Sequence, residues 1–238
     1  MPTILISGAN KGLGLGFATR FAGEGWKVLA SCRNPAKASA LQALAGKHKG
    51  KVRIDALDVL DHDAIEAYGR ALQDEAIDVL LNNAGIIGKE PQDIGHTDYE
   101  DWDKIVKTNV FGTTKMCETF VGHVAKSERK LIVNLTSGTS SITRKTVGRM
   151  PGTKGEYHLY SPSKTMLNMV SRYLAWEYKP MGITVVVLGP GWVQTDMGGP
   201  EALFTIDQSM DKCVPLIKGF GLKDAGKFIL FDGSEPPW

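Results

Sequence analysis

The chain has 238 residues, 42% hydrophobic and 23% charged, which suits a globular protein with a large core and excludes a disordered or fibrous one. Its net charge of +2 offers no electrostatic footprint for nucleic acid. Cys32, Cys117 and Cys213 form no CxxC, the histidines form no HxH or HxxxH pair, and no apolar run nears the ~18–20 residues that span a bilayer, so a disulfide framework, a metal centre and a membrane partner are not expected.

The opening Met1-Pro2-Thr3-Ile4-Leu5-Ile6 has no basic stretch before a long apolar one. It reads as a first strand rather than a secretory leader, and free thiols in a cytoplasmic setting are expected. Short apolar runs at 3–7, 27–31, 52–57, 79–82, 131–135, 184–188 and 227–231 are the strand candidates. Most lack period-2 alternation, the pattern of parallel strands covered on both faces. Amphipathic stretches lie between them. The stretch 13–24 turns Phe17, Ala18, Phe21 and Ala22 to one side and ends at Gly25. The next, 61–74, has Asp61 as a cap. Two longer ones follow, 99–125 and 160–178, the second stopped by Pro180 and Gly182. The last, 205–216, opens with a capping box from Thr205 to Gln208 and is limited by Pro215. This alternation predicts an α/β fold, a single Rossmann-type doubly wound parallel sheet of about seven strands with helices on both faces. One dinucleotide-binding and catalytic domain over 1–238 is expected, because no linker, repeat or low-complexity segment interrupts it.

Five features carry chemistry. Gly8-Ala9-Asn10-Lys11-Gly12-Leu13-Gly14 follows the first strand and opens a helix. Glycines there allow a sharp turn, close approach of backbone to a pyrophosphate and tight helix–strand packing, and the helix N-terminus offers free N–H groups to phosphate. The spacing is GxxxGxG rather than GxGxxG, and a purely structural turn is the alternative. After the second strand, Ser31-Cys32-Arg33-Asn34 lacks the acid that grips a ribose 2′-OH in NAD-preferring folds. Arg33 can instead fork onto a 2′-phosphate with Lys11 adding charge, unless both are solvated surface bases. Asp58, past the third strand, can accept from an adenine amino group, with a capping or solvated role equally open. Asn82-Asn83-Ala84-Gly85 ends the fourth strand with small residues that let backbone approach a ligand, a polar turn being the alternative. In Tyr160-Ser161-Pro162-Ser163-Lys164 a phenol and an ammonium four residues apart share a helix face. A nearby cation would lower the phenol's pKa toward neutrality. Ser137, after the fifth strand, is placed to hydrogen-bond a substrate oxygen. Taken alone, the Tyr–Lys pair also fits an ordinary surface pair.

Together and in this order, Gly8/Gly12/Gly14, Asn82–Gly85, Asn109, Ser137, Tyr160/Lys164 and Pro190-Gly191 resemble the short-chain dehydrogenase/reductase family over essentially the whole chain. The resemblance implies an NADP(H)-dependent oxidoreductase that reduces a ketone or aldehyde to an alcohol, or runs the reverse. It implies that Tyr160 is the acid/base, that Lys164 lowers its pKa and binds the nicotinamide ribose, and that Ser137 orients the carbonyl. It implies that Asn109 holds a water relaying protons to Lys164. For the cofactor it implies Gly8, Asn10, Lys11, Gly12, Leu13 and Gly14 at the phosphates and Arg33 at the 2′-phosphate. Asp58 and Val59 would lie at the adenine, Asn83, Ala84 and Gly85 beside the cofactor, and Pro190, Gly191, Val193 and Thr195 around the nicotinamide. Gly25-Trp26-Lys27-Val28, Cys32-Arg33-Asn34-Pro35, Thr195-Asp196-Met197-Gly198-Gly199-Pro200 and the terminal Phe231–Trp238 are similar to the C-factor and Sniffer-like carbonyl reductases. Two long helices, 99–125 and 160–178, resemble those that pair in the family's dimers and tetramers.

Two departures stand out. Ser137 and Tyr160 lie 23 positions apart, a wide gap containing Gly148, Pro151, Gly152 and Gly155 among basic residues. The segment 143–158 is therefore expected to be a loop forming one wall of the substrate pocket, with a plain surface insertion as the alternative. Pro162 is compatible with the Tyr–Lys geometry only in the first turn of its helix. An NADP-binding sensor acting through a protein partner is the rival function, although a sensor has no need of Asn109, Ser137, Tyr160 and Lys164 together.

Overall fold

The computed structural model describes residues 1–92, 94–145 and 157–238. In chain order the elements are β1 (Thr3–Ser7), α1 (Gly12–Gly23), β2 (Lys27–Cys32), α2 (Ser39–Lys47), β3 (Val52–Ala56), α3 (His62–Ala71), β4 (Val79–Asn82), α4 (Tyr99–Val106), α5 (Thr113–Ala125), β5 (Leu131–Leu135), the short α6 (Ile142–Lys145), α7 (Tyr160–Tyr178), β6 (Thr184–Gly189), α8 (Ile206–Gly219) and β7 (Phe228–Leu230). The strands form one seven-stranded sheet in the order β3-β2-β1-β4-β5-β6-β7, every neighbouring pair parallel. Strand order reverses between β1 and β4. The carboxyl ends of these two strands part there and open the crevice where ligands enter sheets of this kind.

Alternating strand residues feed two separate cores, so β1, β4 and β5 read as continuous apolar runs. Ile4, Ile6, Val28, Leu81, Val133 and Leu188 pack with Phe17, Phe21, Leu41, Met210 and Ile217, which places α1, α2 and α8 on one face. Leu5, Leu29, Leu80, Ile132 and Val185 pack with Ile65, Phe120, Val124 and Tyr178 of α3, α5 and α7 on the other. Outside these cores, Met166, Met169, Tyr173 and Trp176 of α7 are exposed, Trp176 to 75%. Their spacing lines them along one side of the helix.

Three stretches depart from the sequence expectation. The helix α2 has only Leu41 and Leu44 fully within the core and no side-chain cap, so it left little periodic signal. The stretch 99–125 is not one regular helix: a π-helical segment, Lys107–Gly112, separates α4 from α5. Gly112 there lies against Val59, whose carbonyl oxygen would be 2.5 Å from an added Cβ. The helix α8 opens with the expected Thr205–Gln208 capping box but continues past Pro215 to Gly219. Pro215 is on the exposed side, where water can take the carbonyl its ring leaves unpaired. In α7, Pro162 is the third residue, inside the first turn whose N–H groups have no helical partner. The feature that threatened the Tyr160–Lys164 spacing is therefore harmless.

Candidate active site

The turn between β1 and α1 is shaped by its glycines. Gly8 and Gly12 adopt φ of 68° and 55°, the left-handed region that side chains avoid. Gly14 is limited by space instead: an added Cβ would sit 2.3 Å from the Gly8 carbonyl oxygen and 2.6 Å from Asn83 Nδ2. That amide donates to the Ser7 and Gly8 carbonyls at 2.8 and 3.0 Å, while Ser7 Oγ accepts from the Asn83 and Ala84 N–H groups at 3.1 Å each. The turns after β1 and β4 are thus stitched across the reversal in strand order. Lys11, at the N-cap of α1, makes no side-chain cap, and no acid lies in the first turn. The first N–H groups of α1 consequently keep their affinity for an anion.

Around this crevice, Arg33 is exposed just beyond β2 and makes no ion pair among the described residues. Lys11 does make one: its Nζ is 2.6 Å from Asp196 Oδ2, linking the glycine-rich turn to the segment after β6. Both side chains are largely exposed, so water screens the pair. Asp58 accepts from the Leu60 N–H at 3.1 Å, a local turn contact, and the helix cap falls to Asp61, which accepts from Ala64 N. Past β6, Ser209 Oγ holds the Pro190 carbonyl at 2.8 Å, Gly191 takes φ 89°, and Thr195 Oγ1 accepts from Gly198 N at 3.1 Å. Thr195 Cγ2 would be 3.5 Å from a Cβ on Gly12, so this segment closes directly over the glycine-rich turn.

Asn109 lies in the π-helical segment and is fully buried. Its side chain brackets Ile86, accepting from Ile86 N at 2.8 Å and donating to Ile86 O at 2.9 Å, and also donates to Ser163 Oγ at 3.0 Å. Both amide hydrogens are thereby used, and the water-holding role implied by the resemblance would need another atom of this residue. An added Cβ on Gly85 would lie 3.1 Å from Asn109 Oδ1 and 3.4 Å from Lys164 Nζ, which ties the β4 turn to the same cluster.

Ser137 follows β5 and begins a tight turn, its Oγ accepting from Thr139 N at 3.2 Å. The turn is anchored to α7 through Ser140: Asn168 Nδ2 donates to Ser140 Oγ and Thr165 Oγ1 to Ser140 O. Tyr160 opens α7, is buried, and has Ser137 near enough to act on its phenol. Lys164, one turn on, is also buried; its Nζ donates to the Leu135 carbonyl at 2.9 Å and stands 5.9 Å from the Tyr160 ring centre. Burial pushes the phenol up to about 12, with Ser137 opposing. Burial likewise pushes Lys164 down to about 8. Loss of water dominates, and the ammonium is engaged with a backbone carbonyl.

The crevice thus brings together a glycine-rich turn at a helix N-terminus, a small-residue turn on the neighbouring strand, and a serine–tyrosine–lysine set. The sequence pattern of the short chain dehydrogenase family matches residues 2–203. The chain belongs to that family. Among its relatives, the C-signal of Myxococcus xanthus is 33% identical over 162 residues, covering 68% of this chain and 93% of that protein. Among solved structures, the carbonyl reductase Sniffer of D. melanogaster superposes with a TM-score of 0.88 at 29% identity, both chains covered in full. The NADPH-bound carbonyl reductase from chicken fatty liver reaches 0.90 at 30% identity, covering 100% of this chain and 99% of that one.

In this short chain dehydrogenase the crevice gathers Gly8, Gly12, Gly14, Asn83, Gly85, Asn109, Ser137, Tyr160 and Lys164, as the sequence led one to expect. Arg33 and Asp58 sit beyond the ends of β2 and β3. Most of the segment 143–158, the expected substrate wall, lies outside the described residues. Its start is within them: Thr143 N and Oγ1 donate to the Trp238 carbonyl at 3.0 and 2.9 Å, and Ser141 Oγ to that of Pro237 at 2.6 Å. Sequence reasoning missed Gln92, buried against the start of α7. The signal was an absence: His158-Leu159 before Tyr160 supplies no ordinary N-cap side chain, so the cap had to come from elsewhere. Among the described residues no helix is long and apolar enough to cross a membrane, and no His/Cys/Asp/Glu cluster could hold a metal ion.

Proposed function

We propose that this enzyme interconverts a ketone or aldehyde and its alcohol with NADP(H), using Tyr160 as acid/base. The observation that carries the reading is a buried tyrosine beside Ser137 with the buried Lys164 one turn away on the same helix, its Nζ 5.9 Å from the Tyr160 ring centre. A phenol held at about 12 is a donor in the reducing direction. The carbonyl oxygen would rest between Ser137 and Tyr160, and Tyr160 would give it a proton as negative charge develops.

NADP(H), when bound, supplies the hydride. The residues present fit it. An uncapped α1 N-terminus and the left-handed Gly8 and Gly12 offer backbone to a pyrophosphate. Arg33, free of any acidic neighbour bonded to it, suits a 2′-phosphate, with Lys11 shared between that phosphate and Asp196. Ala84 and Gly85 leave room beside Lys164, and Pro190, Gly191, Val193 and Thr195 form the segment that would cover the nicotinamide end. Asp58 and Val59 lie on the adenine side. The NADPH-bound carbonyl reductase from chicken fatty liver supports the same choice.

The test is NADPH consumption over a carbonyl panel. Tyr160→Phe should lower turnover by about 10²–10⁴-fold, the usual worth of a general acid, while NADPH affinity changes little. NADPH should bind at least about tenfold more tightly than NADH, as a charge-assisted contact to the 2′-phosphate implies. A Phe variant that keeps its rate removes Tyr160 from the chemistry, and equal affinities remove the phosphate contact.

The reading extends to the whole chain acting as one catalytic unit, since a single sheet carries both halves of the crevice. The three buried thiols suit a reducing cytoplasm. The exposed α7 stripe of Met166, Met169, Tyr173 and Trp176 supports a homodimer or homotetramer. Sedimentation of the purified chain checks this, and a monomer at tens of micromolar would remove it.

A further inference from the structure

The catalytic helix begins without a cap of its own. Leu159 stands at the N-cap position of α7, makes no side-chain cap hydrogen bond, and no acid lies in the first turn. An N-terminus carrying a catalytic residue at its first position is thus short of partners for its leading N–H groups. They are met from 67 residues upstream. Gln92 Oε1 accepts from Leu159 N at 3.3 Å and from Tyr160 N at 3.2 Å. The other end of the same amide, Nε2, donates to the Ile87 carbonyl at 2.6 Å. Gln92 is only 5% exposed, so little water is available to replace these bonds. Its backbone carbonyl is held in turn by His158, through the His158 N–H at 3.3 Å and through the imidazole Nδ1. The far side of that ring, Nε2, meets Thr97 Oγ1 at 3.0 Å.

We propose that Gln92 is a positioning residue for Tyr160: it caps the catalytic helix from outside and fixes its first turn to the segment that follows the Asn83–Gly85 turn. Ile86 and Ile87 are adjacent, and each is gripped by one amide side chain. Asn109 brackets Ile86 and reaches Ser163; Gln92 grips Ile87 and reaches Leu159 and Tyr160. Ser163 Oγ closes the arrangement by donating to the Tyr160 carbonyl at 2.6 Å. The first turn of α7 is therefore clamped from two directions to the segment beside the crevice. The phenol's position relative to Ser137 depends on that clamp, and catalysis is sensitive to displacements of about 1 Å.

This rests on the assignment of Tyr160 above, so the experiment reads helix position and chemistry separately. Gln92→Met keeps the side chain's shape and removes both ends of its hydrogen bonding. Gln92→Glu keeps the acceptor toward Leu159 and Tyr160. Amide hydrogen exchange at 159–163 is measured for both variants, together with kcat, KM and NADPH affinity. The expected result is exchange at Leu159 and Tyr160 at least about tenfold faster in the Met variant. Its kcat should fall about 10- to 100-fold, with NADPH affinity within about twofold of the parent. The Glu variant keeps the acceptor end but loses the donor toward Ile87, so it should recover most of the exchange protection and only part of kcat, and it carries the test if the Met variant does not fold. Unchanged exchange in the Met variant overturns the cap. Faster exchange with unchanged kcat overturns the positioning role, and a Glu variant whose Leu159 and Tyr160 amides exchange as fast as in the Met variant overturns the cap. A Tyr160→Phe enzyme that keeps its rate overturns the functional assignment instead, and leaves the exchange result to judge the cap.

Discussion

The two sides of the crevice are built by different means. On the cofactor side, the shape of the glycine-rich turn is set mostly between residues near in sequence or directly across one strand pair, Gly8 with Gly14 and Ser7 with Asn83 where β1 meets β4, with Asp196 and Thr195 as its distant neighbours. On the catalytic side, Tyr160 and Lys164 are placed by contacts from far along the chain: Gln92 in the segment after the β4 turn, Asn109 in a π-helical stretch, and the Leu135 carbonyl at the end of β5. Even the start of the loop after Ser137 is held by the carbonyls of Pro237 and Trp238. The first side is specified by backbone shape, which glycines announce. The second is specified by hydrogen bonds whose partners no local pattern reveals.

The sharpest way to break the cofactor side is Gly14→Ala. Helix propensity alone favours the change by about 1 kcal/mol. The added methyl would stand 2.3 Å from the Gly8 carbonyl oxygen, a backbone atom that cannot swing aside. Overpacking of this kind costs about 1–3 kcal/mol, which overrides the propensity gain. The variant should lose thermal stability and bind NADPH at least about tenfold more weakly, because the turn that must approach the pyrophosphate is the part that gives way. Gly46→Ala is the matched control. Gly46 lies exposed in α2 with nothing within 4 Å of an added Cβ, so it should raise stability by up to about 1 kcal/mol and leave NADPH affinity alone. Calorimetry and fluorescence titration of the two variants read the difference. If both behave alike, the cofactor side is not held by close approach.

The same contrast explains what was legible in the sequence. The sheet, its two helix layers and the glycine-rich turn follow from apolar runs and glycine spacing, which report buried strands and left-handed turns directly. The helix α2 escaped because Ala38 is a poor cap and two buried leucines make a thin stripe. The π-helical segment escaped because no breaker marks it, and the neighbour Gly112 packs against, Val59, is 53 positions away in the chain. Partners far along the chain escaped for a similar reason. Nothing near Lys11 announces Asp196, and nothing near Tyr160 announces Gln92. Spacing likewise shows that an ammonium is near the phenol but not that both groups are buried, which pushes Tyr160 up and Lys164 down.

The catalytic side can be probed more gently through the protonation of Lys164. Burial alone brings its pKa from the ordinary 10.5 down to about 8, while the Tyr160 phenol stands at about 12. Below pH 8 the lysine carries its charge; as pH rises through 8 it becomes neutral, and the tyrosine is still protonated. If the reaction needs the ammonium, kcat/KM for carbonyl reduction should fall above about pH 8, with the tyrosine contributing nothing to that limb. Lys164→Arg separates charge from shape. A guanidinium stays protonated throughout, so the limb should vanish up to about pH 10. Its bulkier head is a poor match for the single bond to the Leu135 carbonyl, so the plateau should lie lower. NADPH affinity over the same pH range supplies a second reading if the Arg variant turns over too slowly. A parent enzyme whose kcat/KM is flat to pH 10 would show that the lysine's charge is not needed. An Arg variant with the parent's limb would show that another group titrates there.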